Sequence, residues 1–490
     1  MNAKYVASID QGTTGTRAVL YDREGRMVSS AAVAHRQYYP EPGWVSHDAE
    51  EIYQNAVGCL NGAIEKAKAK AGDVAAIGIT NQRETVVAWD RKTGAPVCKA
   101  LVWQCRRTAE ICARAEADGM AGAVRKKTGL VIDPYFSATK FKWILDNVPE
   151  AGVLMAKGEL LAGTVDSYMI WKLTGGRAFV TDYSNASRTM LFDIGALAWD
   201  SELLDYFGVP EDMLPRVVPT SGYIGEADIW GIPVAAAAGD QQAALFGQLC
   251  FNPGDIKNTY GTGCFILKNI GEKPVISGNG LLTTIAWHID GRTEYALEGS
   301  VFNAGSAVEW LIHGAKLVKD VEEINAICDQ TPDTGGVYFV PAFSGLGAPN
   351  WDTDARAIIC GMSLAADKNA IVRALMESIA YQSRDVIGCM ERETGVGVGR
   401  IRADGGVCRS DFLMRFQANI MNATVGRPHN IETTSLGAAY LAGLAIKFWD
   451  GADEIGTVLN PYTEFAPSMS ETERHEKYAG WMKAVERARN

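Results

Sequence analysis

The chain has 490 residues, 47% of them hydrophobic and 21% charged, a globular balance that excludes an intrinsically disordered chain. A formal net charge of −11 argues against a general nucleic-acid or anionic-membrane binder, since both need a basic surface, and leaves room only for a local phosphate pocket. Ten scattered cysteines without a Cys-x-x-Cys pair speak against zinc ligation and against a disulfide framework; they read as reduced, buried small hydrophobes of a cytoplasmic protein.

At roughly 100–200 residues per domain, this length predicts two to four domains. Residues Met1–Lys4 run directly into a short strand-like stretch, which does not fit a signal peptide. No run of about 18 apolar residues exists to cross a membrane, because the best candidate, residues 234–249, is interrupted by Gly239-Asp240-Gln241-Gln242. The first half opens with strands predicted at 5–9, 17–21 and 27–34, the first two separated by the turn Asp10–Thr16. A helix is predicted over 48–71. Its apolar positions Ile52, Ala56, Leu60, Ala63 and Ala67 keep steps of three and four, and Asp48 with Glu51 has the capping-box spacing. Strands at 74–80 and 85–89 follow.

The second half begins the same way. Strands are predicted at 256–259 and 264–267 around the turn Tyr260-Gly261-Thr262-Gly263, then at 281–288 and 294–297. A helical period covers 370–394, and a strand at 400–403 passes through Asp404-Gly405-Gly406 into a helical stretch at 410–421. The order of strand, Gly-Thr turn, strand and helices thus occurs twice, which predicts a duplicated α/β architecture with a boundary near residue 250.

No G-x-x-x-x-G-K-[ST] motif is present. Asp10-Gln11-Gly12-Thr13-Thr14-Gly15-Thr16-Arg17 sets a carboxylate at a strand end beside two glycines and three hydroxyls, groups that can cradle phosphate and hold Mg²⁺ through water. An ordinary β-hairpin turn has the same composition. The turn at Tyr260–Gly263 repeats that chemistry, and two such turns could clamp one polyphosphate between them. Asp404-Gly405-Gly406 reads either as a close-approach site at a helix N-terminus or as a tight strand-to-helix turn. Asp240, a carboxylate in an apolar run, reads either as a general base or as a helix cap. Asn81-Gln82-Arg83-Glu84 and Trp103-Gln104-Cys105-Arg106-Arg107, each taken alone, read as surface salt-bridge clusters.

Taken together and in order, Asp10–Arg17, Asn81–Glu84, Trp103–Arg107, Asp133-Pro134-Tyr135, Gly163–Asp166, Thr181–Leu191, Gly239–Gly247, Tyr260–Phe265, Asp404–Gly406 and Ser435–Leu444 resemble the glycerol kinases of the FGGY carbohydrate kinase family. The resemblance runs from the first strand to about residue 485. It implies an α/β fold of two duplicated actin-like ATPase (ribonuclease H-like) domains with the active site in the cleft between them. Residues 1–250 would carry the glycerol site and the first phosphate turn, and residues 251–490 the second phosphate turn and the adenosine site. It also implies transfer of the γ-phosphoryl group of ATP to glycerol, with Mg²⁺, in glycerol uptake and catabolism. The expected partners are glycerol and ATP, with no nucleic acid and no membrane span, in a cytoplasmic homo-oligomer, dimer or tetramer.

Carried over by motif position, Asp240 resembles the catalytic base. Arg83, Glu84, Tyr135, Asp240 and Gln241 resemble the groups that hydrogen-bond glycerol, and Trp103 and Phe265 the apolar wall beneath its carbons. Asp10 resembles the carboxylate that orients Mg²⁺. Thr13, Thr14 and Arg17 fall in the first phosphate turn, Gly261 and Thr262 in the second, and Gly305, Glu309, Gly406 and Ser410 where the family holds the nucleotide. Two of these depart from the common pattern: Ser410 stands where Asn is usual and Glu309 where Gln is usual. The stretch 222–234 lacks the basic glycine-rich loop through which some members bind fructose 1,6-bisphosphate, and it contains no histidine. The competing expectations are a kinase of the same family acting on a pentulose or another polyol, and a chaperone-like ATPase of the same fold.

Overall fold

Two mixed sheets carry the fold, and both are built around the same central arrangement of parallel and antiparallel strands. The computed structural model describes residues 3–352, 354–457 and 461–489. In the first sheet, β1 (Tyr5–Gln11), β2 (Gly15–Tyr21) and β3 (Met27–Ala34) form an antiparallel meander, and β1 then pairs in parallel with β4 (Val74–Asn81). β5 (Ser221–Ala227) and β6 (Ile232–Gly239) complete it in the order β5-β6-β4-β1-β2-β3. All eight residues of β4 are buried, as expected of a parallel strand covered on both faces.

The second sheet holds β7 (Ile256–Tyr260), β8 (Cys264–Gly271), β9 (Leu282–Ile289), β10 (Arg292–Val301), β11 (Arg400–Asp404), β12 (Thr424–Pro428) and β13 (Tyr462–Phe465), in the order β9-β10-β8-β7-β11-β12-β13. β7 pairs antiparallel with β8 and parallel with β11, just as β1 does with β2 and β4. Apart from the added edge strand β9, the two sheets match strand for strand. The duplication expected from the two Gly-Thr turns is therefore present in the topology.

Helix α1 (Ala49–Lys66) starts where predicted: the Asp48 carboxylate accepts from the Glu50 and Glu51 amides at 3.0 and 3.2 Å. The capping box does not close, because Glu51 accepts instead from the Arg36 amide at 3.1 Å. The helix also stops five residues short of the predicted end. Ala63 is its last fully buried side chain, and Lys68 enters the left-handed region at φ 51°, which turns the chain out of the helix.

Four more helices position the site: α2 (Asp240–Gly247), α3 (Lys368–Thr394), α4 (Asp411–Met421) and α5 (Thr433–Ala445). By sequence α5 lies between β12 and β13 of the second sheet, yet it packs on α2 and on β1, β4 and β6 of the first. Backbone approach makes this possible. A Cβ on Gly437 would stand 1.8 Å from the Ala243 carbonyl, and one on Gly247 would stand 2.0 Å from the Thr433 carbonyl, so only glycine fits at either position. The core formed there draws Val6, Ala76 and Phe246 together with Leu436, Tyr440 and Trp287. All ten cysteines are free, and no helix among the described residues is long and apolar enough to cross a membrane.

Candidate active site

The two Gly-Thr turns occupy equivalent hairpin tips, β1–β2 and β7–β8. Gly12 N donates to Gly15 O at 2.9 Å in the first, and Gly261 N to Gly263 O at 2.8 Å in the second. Gly305 N donates to Gly261 O at 2.9 Å. Gly405, with φ 85°, backs onto Tyr260 so closely that a Cβ would stand 2.5 Å from the Tyr260 carbonyl. The turn at Asp404–Gly406 and the residue Gly305 are thereby gathered around the second tip, while Gly406 opens the short helical turn Gly406–Arg409. In the first turn Thr13 accepts from the Trp103 indole at 2.9 Å, and Thr14 is exposed. Arg17, on β2 opposite Asp10, pairs with Glu432 from the segment that leads into α5.

At the junction of β6 and α2, Asp240 is the first helical residue and Gly239 the cap. The junction is fixed from below. Gly239 N donates to Ser184 Oγ at 2.9 Å, and Ser184 and Asn185 are held by the Asp182 carboxylate. Asn185 in turn meets the side chain of Asn81 at the end of β4. The Asp240 carboxylate accepts from Gln241 N at 2.8 Å and forms an ion pair with Arg83, whose Nε stands 3.2 Å from its Oδ1, and its side chain keeps 30% exposure.

Behind Asp240 lies a buried ionic cluster. Arg83 is 3% exposed and Glu84 1%, which overturns the surface salt-bridge reading of Asn81–Glu84. Arg83 grips Glu298 of β10 through Nη1 at 2.5 Å and Nη2 at 3.0 Å. Arg188 donates to Glu84 Oε1 at 2.6 Å and to Glu298 Oε1 at 3.2 Å. Burial alone would raise the Glu298 carboxyl, but Arg188 and Arg83 outweigh it and hold it down at about 2. Glu84 reaches Arg188 from a left-handed backbone, φ 61°, a conformation that a non-glycine residue holds only when its surroundings enforce it.

Trp103 and Tyr135 meet edge to face with ring centroids 5.4 Å apart, above this cluster, where Arg188 also lies over the Tyr135 ring at 5.7 Å. Phe265 stands half-buried on β8 opposite Thr259, on the other sheet. Gln241 accepts from Lys257, a fully buried residue of β7 whose ammonium also donates to Thr259 Oγ1 at 2.9 Å. Burial pulls that ammonium down to about 8, against the opposing pull of Asp404 and Asp240. Glu309 pairs with His313 at 3.2 Å on the surface. Ser410 caps α4, accepting from Leu413 N at 3.3 Å while its hydroxyl donates to Asn325 Oδ1 at 2.7 Å. In the Trp103–Arg107 segment Arg106 is exposed and pairs with Asp133, whereas Arg107 stacks against Trp44 and Trp143.

Glu298, Arg188 and Lys257 are the site residues that sequence reasoning missed. The available signal was a lone charge inside each otherwise apolar or β-rich stretch. Half-buried Asp10, at the end of β1, has its carboxyl pushed up to about 7, first by burial and then by Asp240 nearby. A carboxyl raised by a second carboxylate across a shared space suits a divalent cation, and Mg²⁺ typically takes one or two carboxylates with the rest of its shell from phosphates and water. Among the described residues no cluster of three or more His, Cys, Asp or Glu side chains forms an all-protein metal cage.

Residues 5–247 match the N-terminal domain of the FGGY family of carbohydrate kinases, and residues 256–446 match its C-terminal domain. The glycerol kinase of Caldanaerobacter subterraneus subsp. tengcongensis is 54% identical over 490 residues, spanning 99% of both chains. A crystal structure of Plasmodium falciparum glycerol kinase with ADP superimposes with a TM-score of 0.94 at 39% identity, covering 99% of this chain and 98% of that one. A ligand-bound xylulose kinase from Lactobacillus acidophilus shares the fold, with a TM-score of 0.87 at 22% identity over 99% of this chain and 97% of its own. With both domains matched in order and the two-sheet actin-like fold in place, the chain belongs to the FGGY family of carbohydrate kinases and is an enzyme of its glycerol kinase branch.

Proposed function

We propose that this enzyme transfers the γ-phosphoryl group of ATP in line to a terminal hydroxyl of glycerol, giving sn-glycerol 3-phosphate and ADP, with Asp240 as the general base. The observation that carries the reading is the setting of Asp240. Among the described residues it is the one partly exposed carboxylate paired with the ionic cluster, it sits at a strand-to-helix junction, and Arg83 Nε stands 3.2 Å from its Oδ1. As the new O–P bond forms and the bond to the β-phosphate breaks, Asp240 accepts the hydroxyl proton. Phosphoryl transfer asks the protein for positioning and charge neutralisation more than for covalent chemistry, and the two hairpin tips with the ordered carboxylate supply the positioning.

Arg83, Glu84, Tyr135 and Gln241 offer donors and acceptors to a triol, and Trp103 gives its carbons an apolar face; Phe265 is proposed as the opposing face from the second sheet. A buried polar set of this kind rejects analogues that leave its groups unpaired. Thr13, Thr14, Arg17, Gly261 and Thr262 are proposed to hold the phosphates, with Gly305, Glu309, Gly406 and Ser410 on the nucleoside side. Asp10, aided by Asp240, would hold Mg²⁺, which when bound neutralises charge on the phosphate oxygens.

The decisive experiment is ATP consumption with glycerol, dihydroxyacetone, xylulose and gluconate as acceptors. Glycerol should exceed xylulose and gluconate in kcat/KM by at least about 10²-fold, the discrimination open to a hydrogen-bonding site. A preference for xylulose or gluconate, or ATP turnover indifferent to any polyol, would overturn the assignment.

A further inference from the structure

A second charged cavity lies outside the cleft residues. It has a volume of about 270 Å³ and opens between the last turns of α3, the end of α4 and the first turns of α6 (Glu471–Arg489). Three arginines line it, Arg384 and Arg392 from α3 and Arg474 from α6. In a chain of net charge −11, gathering three guanidiniums in one concavity needs a reason.

None of the three forms an ion pair with a carboxylate among the described residues, unlike Arg83, Arg188, Arg373 or Arg415, which are all paired. Nη1 of Arg384 is buried without a hydrogen-bond partner. The same guanidinium lies over the Tyr478 ring, its Cζ 3.7 Å from the centroid, a cation–π contact that holds it at the cavity. The nearby Asp385 carboxylate is already used, accepting from Tyr478 Oη at 2.5 Å and Trp481 Nε1 at 2.8 Å. Glu391, the one carboxylate lining the cavity, accepts from Val398 N at 2.9 Å. Arg392 stands in the last turn of α3, where it also complements the helix dipole. Arg474 has no such explanation, because it stands in the first turn of α6, where the dipole opposes a cation. Burial, with the neighbouring Arg474 adding to it, pulls the Arg384 guanidinium below its ordinary range against the opposing pull of Tyr478 and Asp385, and an anion beside it would relieve that cost.

We propose that this cavity binds a small phosphate monoester, its phosphate held by Arg384, Arg392 and Arg474 and its carbon skeleton set against Ile420 and Met421. Guanidinium forks pair with carboxylate and phosphate alike, but three of them exceed the two oxygens of a carboxylate and suit the three terminal oxygens of a dianionic phosphate monoester, and a halide offers no oxygen pair to match. The apolar wall favours an ester over the free ion. The volume admits a short carbon skeleton and falls short of a nucleoside triphosphate, so the site is distinct in chemistry from the cleft.

The test is calorimetric titration of the full chain with ribose 5-phosphate, glycerol and a non-hydrolysable ATP analogue being present at saturation to fill the cleft. Ribose, and chloride at matched ionic strength, are the controls. Saturable binding of one ribose 5-phosphate per chain, absent for ribose, is expected. The double variant Arg384→Gln/Arg474→Gln should weaken it by at least about tenfold, as expected for loss of charge-assisted bonds, while kcat and both KM values stay near wild type. Should the double variant fail to fold, Arg474→Gln alone carries the same test, with a loss of several-fold. No saturable binding, binding equal to the chloride control, or binding undiminished in the variants would overturn the proposal.

Discussion

Arg83 and Glu298 face each other fork to fork, Nη1 at 2.5 Å from Oε2 and Nη2 at 3.0 Å from Oε1, although 215 residues separate them in the chain. One belongs to the loop after β4 and the other to β10, so the pair joins the first sheet's region to the second sheet. Through its Nε, Arg83 also sets Asp240. Glu298 is therefore a positioning residue for the proposed base: it fixes the guanidinium that fixes the carboxylate.

Replacing Glu298 with Gln should be costly for that reason. The change leaves Arg83 and Arg188 buried with Glu84 as their one close buried counter-charge, and breaking a buried pair on one side costs about 3–5 kcal/mol. Denaturant unfolding should show this loss, with glycerol turnover falling in the fraction that remains folded. An unfolding midpoint equal to wild type would mean that the cluster contributes no net stability.

Asp240→Asn should leave the fold nearly intact, since the side chain is partly exposed and an amide oxygen can still accept from Gln241 N. Turnover should fall by roughly 10²–10⁴, the usual cost of losing a general base. Activity within a few-fold of wild type would remove Asp240 from that role.

Trp103 performs two tasks that substitution can separate. Its ring packs on Tyr135 at the proposed glycerol wall, and its indole N–H donates to Thr13 in the first turn. Trp103→Ala should raise KM for glycerol by about 10–200-fold, the range for lost apolar contact in a pocket. Trp103→Phe keeps most of the wall and loses the bond to Thr13, so it should shift KM for ATP more than KM for glycerol. If both variants move only the ATP parameters, the ring is not part of the glycerol site.

How far the sequence could carry this reading follows from the range of its signals. The hairpins around Gly12–Gly15 and Gly261–Gly263 were legible because strand alternation and Gly-Thr turns are local. Asp240 was legible as a carboxylate that breaks an apolar run. The burial of Arg83 and Glu84 was not, since a polar tetrapeptide resembles a surface segment unless its partners Arg188 and Glu298 are known, and these lie 104 to 215 residues away. Lys257 was hidden for the same reason. The crossing of α5 onto the first sheet was equally hidden. A helix apolar on every side signals only burial, and the fit of Gly437 against Gly247 is a property of two backbones rather than of either sequence.

Ser410 tests whether a departure from the family pattern matters. Its hydroxyl caps α4, so Ser410→Ala should cost about 1 kcal/mol in unfolding free energy. Ser410→Asn keeps an acceptor for the cap and lengthens the reach of the side chain. It should preserve stability and glycerol KM while shifting ATP KM modestly. Unchanged ATP parameters would show that this position does not meet the nucleotide.

The pH dependence of stability should carry the mark of His47. Its Nδ1 lies 3.2 Å from the Gln82 amide and its Nε2 lies 2.7 Å from Gln37 Oε1, an arrangement suited to a neutral ring that accepts at one nitrogen and donates at the other. Burial, followed by the neighbouring His35, pushes the imidazole from its ordinary 6.5 down to about 3. The unfolded chain therefore takes up a proton near pH 6.5 that the folded chain refuses until about pH 3, so this contribution is complete above 6.5 and is lost as pH falls. Between pH 6.5 and pH 5 the loss should reach about 2 kcal/mol. Asp10 and Asp166, both pushed up to about 7 with burial as the largest cause, run the opposite way in the same window, because the folded chain holds protons there that the unfolded chain releases. Comparing wild type with His47→Gln cancels those carboxyls and isolates the imidazole, since Gln also offers one donor and one acceptor but does not titrate. The variant should lose less stability than wild type between the two pH values, measured by denaturant midpoints at fixed ionic strength. If its midpoint moves with pH as the wild type's does, the acid sensitivity resides in other groups.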